Sequence, residues 1–324
     1  MRLHPARLAT LGLALVALAA PAAASASQPV ELAAPYEYLG WGDPQPPASV
    51  LEATGIQDLT MAFVLSKGAC NPAWDGHRPL LGGVDQQAIE AVRAAGGEVD
   101  VSFGGWSGKK LGSSCKSAQA LSGAYQKVID AYALHAIDVD IEHGEFANKR
   151  TRMRVVAALA ALQSADPGLE ISITMGTGEG GPEKDGLSLI ADAAAIGFQP
   201  SVWTIMPFDF GAPASDMGHA STRAVEGLAH DLVAAYGLSS TAAYEHAGIS
   251  SMNGHTDEAS ETVTLQDFQT IVGFAEAHHL ARLSFWSVNR DRPCKSSGAA
   301  PEEECSGIAQ QPLAFTSALA AYHG

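Results

Sequence analysis

Residues 135–142, His-Ala-Ile-Asp-Val-Asp-Ile-Glu, constrain the fold of this chain more than any other stretch. Asp138, Asp140 and Glu142 alternate with Ile137, Val139 and Ile141. Successive side chains of an extended backbone point to opposite faces, so the acids share one face and the aliphatics the other. A solvated edge strand could carry such an acidic face. The aliphatic partners suit instead a strand buried on both sides, as in a parallel sheet covered by helices. Carboxylates gathered away from water repel one another, and each loses hydration on the order of several kcal/mol. A purely structural role rarely offsets that cost, so the stretch is read as a catalytic strand.

The rest of the chain alternates regularly around it. Strand patterns fall at 36–41, 59–65, 98–103, 135–142, 170–175, 201–206, 247–252 and 283–288. Helical patterns fall between them at 85–95, 117–133, 148–164, 221–236 and 265–278, with a last one at 313–322. Asp85 is placed to cap the first of these helices and Gly96 to end it. Eight strands interleaved with helices in roughly 300 residues predict an α/β protein, a single (β/α)8 TIM barrel with its chemistry at the C-terminal strand ends. Residues 176–186 are glycine-rich but lack the Gly-x-x-x-x-Gly-Lys-Ser/Thr arrangement of a phosphate loop.

The first residues have the pattern of an export leader: Arg2 and Arg7, an apolar run over 8–20, and Ala24-Ser25-Ala26 as a cleavage site. The expected domains are therefore a signal peptide at 1–26 and a catalytic barrel at 27–324, secreted and without a membrane partner. A retained N-terminal anchor is the competing reading. Losing Arg2 and Arg7 takes the formal charge from −16 to −18. Such a surface repels phosphate backbones, so nucleic acid is excluded, while an uncharged polysaccharide is compatible with it. In an exported chain the four cysteines favour disulfides over a metal site, and no Cys-x-x-Cys spacing is present. Three pairings are open. Cys294 with Cys305 flanks a short loop, and Cys70 and Cys115 each follow a predicted strand, so these two pairs are preferred.

Four ordered motifs together carry a resemblance. Asp138-x-Asp140-x-Glu142 resembles the active-site strand of glycoside hydrolase family 18, the chitinases and endo-β-N-acetylglucosaminidases. The family pattern opens with Asp-Gly, where this chain has His135 and Ala136; a satisfied core histidine is expected there, with a histidine that supports the acids by a hydrogen bond or a charge as the alternative. Ser102-Phe103-Gly104-Gly105 resembles the family's Ser-x-Gly-Gly at the end of the third strand, where the glycines would let the backbone approach the acidic strand. Met206-Pro207-Phe208-Asp209 resembles Met-x-Tyr-Asp, with Phe208 replacing the tyrosine. Trp286 matches the tryptophan of the eighth strand that floors the catalytic subsite.

The resemblance implies a compact, monomeric chitinase that needs no metal or organic cofactor and acts on chitin or N-acetylglucosamine oligosaccharides. Glu142 would be general acid and base, Asp140 would orient the acetamido group and Asp138 would share a proton with it. Substrate would meet Trp286, Met206, Phe208, Asp209, Ser102, Gly104, Trp41 and Trp106. Trp74, after the second strand, could extend the groove, and Trp203 is expected in the core. Only about a dozen residues separate 252 from 265, too few for the small α+β domain that many members insert there, so a shallow groove and endo action are expected. Two alternatives stand beside this reading: an endo-β-N-acetylglucosaminidase acting on N-glycans, and a sugar-binding barrel that no longer turns over, for which Phe208 is the best argument.

Overall fold

The computed structural model describes residues 1, 33–40, 42–211, 216–295 and 304–324. The expected leader and its cleavage site lie outside the described residues, as does Trp41.

Eight parallel strands form the barrel: β1 Tyr36–Tyr38, β2 Asp58–Ser66, β3 Glu98–Gly104, β4 Ala136–Asp140, β5 Glu170–Gly176, β6 Val202–Met206, β7 Ala247–Met252 and β8 Arg282–Trp286. Each is hydrogen-bonded to the next in sequence, and a parallel bridge between Ala33 and Leu283 brings β8 back beside β1. The helices that follow the strands in turn are α1 Pro47–Thr54, α2 Val84–Ala94, α3 Ala118–Tyr132, α4 Lys149–Ala165, α5 Lys184–Ala195, α6 Met217–Tyr236, α7 Leu265–His278 and α8 Ala314–Leu319. Local chemistry sets their ends: Ser117, Asn148 and Asp216 accept from backbone N–H groups of the first turn, and Thr264 with Asp267 forms a capping box. The expected cap at Asp85 is not formed. Gly83 starts α2, and the buried Asp85 carboxylate instead takes two hydrogen bonds from Arg78, at 2.8 and 2.9 Å.

Outward residues of the strands, such as Val101, Val139, Ile173 and Ile205, pack against the helices as the main hydrophobic core. The barrel interior is unusually polar. Arg282 pairs with Asp100 at 2.8 Å and donates to Thr60, all three buried, while Ser172 and Thr204 share a hydrogen bond one strand apart. Burial pushes Asp100 up to about 6 despite Arg282.

Two unforeseen features bear on the upper rim. A short strand, Pro72–Trp74, pairs antiparallel with the end of β2. It buries Trp74 completely, with the indole N–H donating to the Tyr132 hydroxyl at 2.8 Å, so Trp74 is core and does not extend a groove. Between β7 and α7 there is a small hairpin, Gly254–His255 with Thr262–Val263, in place of an inserted domain. β1 and β8 stop short of the expected 41 and 288. The chain turns into a 3-10 helix at Val288–Arg290, and α8 is shorter than the 313–322 pattern. Both expected disulfides are present, Cys70–Cys115 and Cys294–Cys305.

Candidate active site

β4 delivers the acids as its alternation requires. Asp138 and Asp140 are buried within the strand, and the Ile141 N–H still donates to Thr174 at 2.8 Å, which carries the extended run on to Glu142. Glu142 keeps an extended backbone and starts the short helical turn His143–Ala147.

The three carboxyls sit in different environments. Asp138 accepts from three hydroxyls: Ser102 at 2.5 Å and Tyr36 at 2.9 Å on Oδ2, and Thr174 at 2.7 Å on Oδ1. Asp140 is 4% exposed, and its Oδ1 has no hydrogen-bond partner among the described residues. Burial first, then Glu142 and Asp138, hold the Asp140 carboxyl well above the usual carboxylate range. Burial pushes Glu142 up to about 7; Lys110 opposes the rise, while Asp257 and Asp209 reinforce it. A carboxylic acid half-protonated near neutral pH can both give and take a proton.

Gly104 and Gly105 bring β3 against the acids. Gly104 pairs in register with Asp140 and has φ +112°, and a Cβ there would collide with the Asp140 carbonyl oxygen. The Gly105 N–H donates to that same oxygen at 2.9 Å. Ser102 is fully buried beneath Asp138. The residues expected at the substrate from this motif therefore serve the acid strand instead, because their polar atoms and backbone are already engaged there.

Aromatic groups line the side toward β1 and β8. Trp286, half-buried at the end of β8, stacks on Phe63 at 5.5 Å and 13°, with Tyr36 and Tyr38 each 6.0 Å away. Phe63 reaches this place through a register shift in β2 between Met61 and Val64, which turns both Ala62 and Phe63 inward. Trp106 is 68% exposed on the loop after β3, its ring 3.7 Å from that of His143.

Met206 and Phe208 are half-buried at the end of β6. Asp209 follows with φ +54°, held in the left-handed region by two sets of contacts. The buried Glu261 carboxylate accepts from Asp209 N at 2.7 Å and Phe210 N at 2.9 Å, and Asp209 Oδ1 accepts from Glu258 N at 3.0 Å. The small hairpin after β7 thus fixes the β6 loop.

His135 does not belong to this site. It is exposed at the opposite, N-terminal end of β4, and its carbonyl accepts from Glu170 N at 2.9 Å, so it is neither buried nor a partner of the acids. The departure from the family pattern there is remote from the chemistry. Sequence reasoning missed Tyr36, Thr174, Lys110, Glu145, Glu261 and Phe63. The first five are single polar residues that only the closed barrel brings together, and Phe63 needs an inward turn that strict alternation does not predict.

The catalytic domain of a hyperthermophilic chitinase from Pyrococcus furiosus has a TM-score of 0.80 and 28% identity to this chain, covering 89% of it and 93% of that domain. In sequence and in fold the chain is similar to chitinase catalytic domains, consistent with glycoside hydrolase family 18. No family model matches the chain. Its resemblance to a GH18 chitinase from Pseudoalteromonas aurantia, TM-score 0.53 at 11% identity over 78% of this chain and 93% of that one, is one of fold. Among curated proteins, "Probable bifunctional chitinase/lysozyme" of Escherichia coli (strain K12) is 27% identical over 262 residues, and "Endochitinase 11" of Metarhizium anisopliae is 27% identical over 255. These alignments take in 76% and 74% of this chain but span only 29% and 48% of those relatives.

Proposed function

We propose that this barrel is a secreted, endo-acting chitinase that cleaves β-1,4 links between N-acetylglucosamine units with retention. One observation carries the proposal: three carboxyls on one strand, the first satisfied by three hydroxyls, the second buried and raised, the third pushed up to about 7. Family 18 enzymes are among those that use the substrate's own acetamido group in place of a carboxylate nucleophile.

In this reading a sugar ring packs on Trp286, whose flat face suits the apolar C–H face of a pyranose. Asp140 accepts the acetamido N–H. The acetamido oxygen attacks the anomeric carbon as the glycosidic bond breaks, and the bond's electron pair leaves on oxygen, which takes the proton of Glu142. Glu142, now a carboxylate, withdraws a proton from the water that opens the oxazolinium intermediate. The β configuration is restored by two inversions. No step calls for a metal or organic cofactor. The reading of export rests on the leader pattern and two disulfides, and endo action on the short connection between β7 and α7, which leaves that flank of the site without an inserted wall.

The test is product analysis on chito-oligosaccharides with the mature chain and with Glu142→Gln. The expected result is internal cleavage by wild type and a loss of roughly a hundredfold or more in the variant, the scale of general-acid catalysis. Release of glycans from a glycoprotein without action on chito-oligosaccharides would replace this reading by the endo-β-N-acetylglucosaminidase, and binding without cleavage by the non-hydrolytic barrel.

A further inference from the structure

One buried cation beside the acids has no part in the mechanism so far. Lys110 is 6% exposed although it follows the exposed Lys109, and it lies at the start of the helical turn Leu111–Ser114. Its Nζ donates to the carbonyl oxygens of Ser107 at 2.5 Å and Gly104 at 3.3 Å. Gly104 is the residue paired with Asp140, so the ammonium is fixed on the strand edge next to the acids. An ammonium has three donors, and these carbonyls take two of them.

The loop that carries Lys110 is pinned at both ends. Ser66 N donates to the Lys109 carbonyl at 2.8 Å, and the turn closes on Cys115, which is bonded to Cys70. The charged groups facing the ammonium are Glu142, Asp140 and Glu145. Asp257 and Asp209 also act on Glu142, and Arg154 acts on Glu145. Glu145 is itself buried, and a Cβ at Gly112 would collide with its carboxylate. Burial is the main reason Glu142 holds its proton; among the charged groups Lys110 opposes it most, while Asp257 and Asp209 add to it.

We propose that Lys110 is a positioning residue for proton donation: its fixed ammonium stabilises the carboxylate that Glu142 becomes when its proton passes to the leaving oxygen. The inference rests on the chitinase reading and adds to it the group that makes Glu142 a strong enough acid. A preorganised charge aimed at developing charge acts without reorganisation, which is why a lysine held by backbone carbonyls suits the task better than a mobile surface one. The favourable interaction of Lys110 with ionised Glu142 lowers the proton affinity of that carboxyl, so removing the charge makes Glu142 hold its proton to higher pH and give it less readily.

The experiment compares wild type, Lys110→Gln and Lys110→Arg, with Lys110→Met as a second neutral variant, on chitotetraose and on an aryl chitobioside whose leaving group needs little protonation. In both neutral variants the basic limb of kcat/KM should move up by about one pH unit. Their rate on chitotetraose should fall roughly three- to tenfold, and their rate on the aryl glycoside much less. Lys110→Arg should keep the wild-type limb. An unmoved limb, or equal losses on both substrates, would overturn the proposal and leave Lys110 a structural residue. A wild-type chain inert on both substrates would fail earlier, at the chitinase reading, and would withdraw the Lys110 proposal with it.

Discussion

Replacing Glu142 by glutamine should stabilise the fold while it removes activity, and the gain should depend on pH. In the unfolded chain Glu142 ionises around its ordinary value of 4.5; in the folded protein burial moves that to about 7. Below about pH 4 both states hold the proton and the group has no effect on stability. As pH rises the unfolded chain releases its proton first, so the stability linked to the raised folded value is lost progressively and is gone above pH 7. A tenfold difference in proton affinity between the folded and unfolded states is worth about 1.4 kcal/mol, so by pH 8.5 wild type has lost about 3 kcal/mol through this residue alone. Glutamine has nearly the same shape and no proton to release. Urea unfolding of wild type and Glu142→Gln, monitored by tryptophan fluorescence at pH 4.5 and pH 8.5, gives the comparison directly. The variant should gain up to about 3 kcal/mol at pH 8.5 and little at pH 4.5. Equal differences at the two pH values would refute the reasoning, since they would show that Glu142 is not desolvated in the folded state.

Four further outcomes follow from the contacts around the acids. Tyr36→Phe removes one of the three donors to Asp138, and kcat should fall several-fold or more with KM nearly unchanged in steady-state assays, at a stability cost of roughly 1 to 3 kcal/mol. Glu261→Ala frees the backbone of Asp209 and Phe210, so KM for chito-oligosaccharides should rise and hydrogen exchange at those two amides should accelerate. Cys70→Ser with Cys115→Ser opens a loop with a sequence separation of 45; loop-closure entropy makes that worth about 4 kcal/mol in denaturant unfolding. His135→Ala, remote and exposed, should leave turnover unchanged and stability within about 0.5 kcal/mol.

The acid strand was legible in the sequence because a period of two is a local property: three acids alternating with three aliphatics leave one geometry in which both sets are served. The barrel was legible for a related reason, the regular return of strand and helix patterns, and the two glycines of β3 declared the close approach that Gly104 makes to Asp140. Most of what was not legible depends on closure of the sheet. Tyr36 and Asp138 are 102 residues apart, and Arg282 and Asp100 are 182 apart. Nothing in either local sequence names the other. Lys110 follows another lysine on a loop, where a solvated charge is the ordinary expectation, and only the disulfide and the Ser66 hydrogen bond turn it inward. Trp74 and His135 were misplaced by one assumption, that a residue near a motif or a strand end shares its environment. An antiparallel strand buries the first, and the second lies below the barrel floor.

The central claim is that the acetamido group, not a carboxylate or a water, makes the first attack, with Glu142 as the proton donor. Proton NMR of the products formed in the first minutes from chitotetraose, before mutarotation, tests it most directly. The account predicts the β-anomer first, together with no cleavage of a substrate lacking the N-acetyl group at the reacting ring. The α-anomer first, or ready cleavage of the deacetylated sugar, would contradict it.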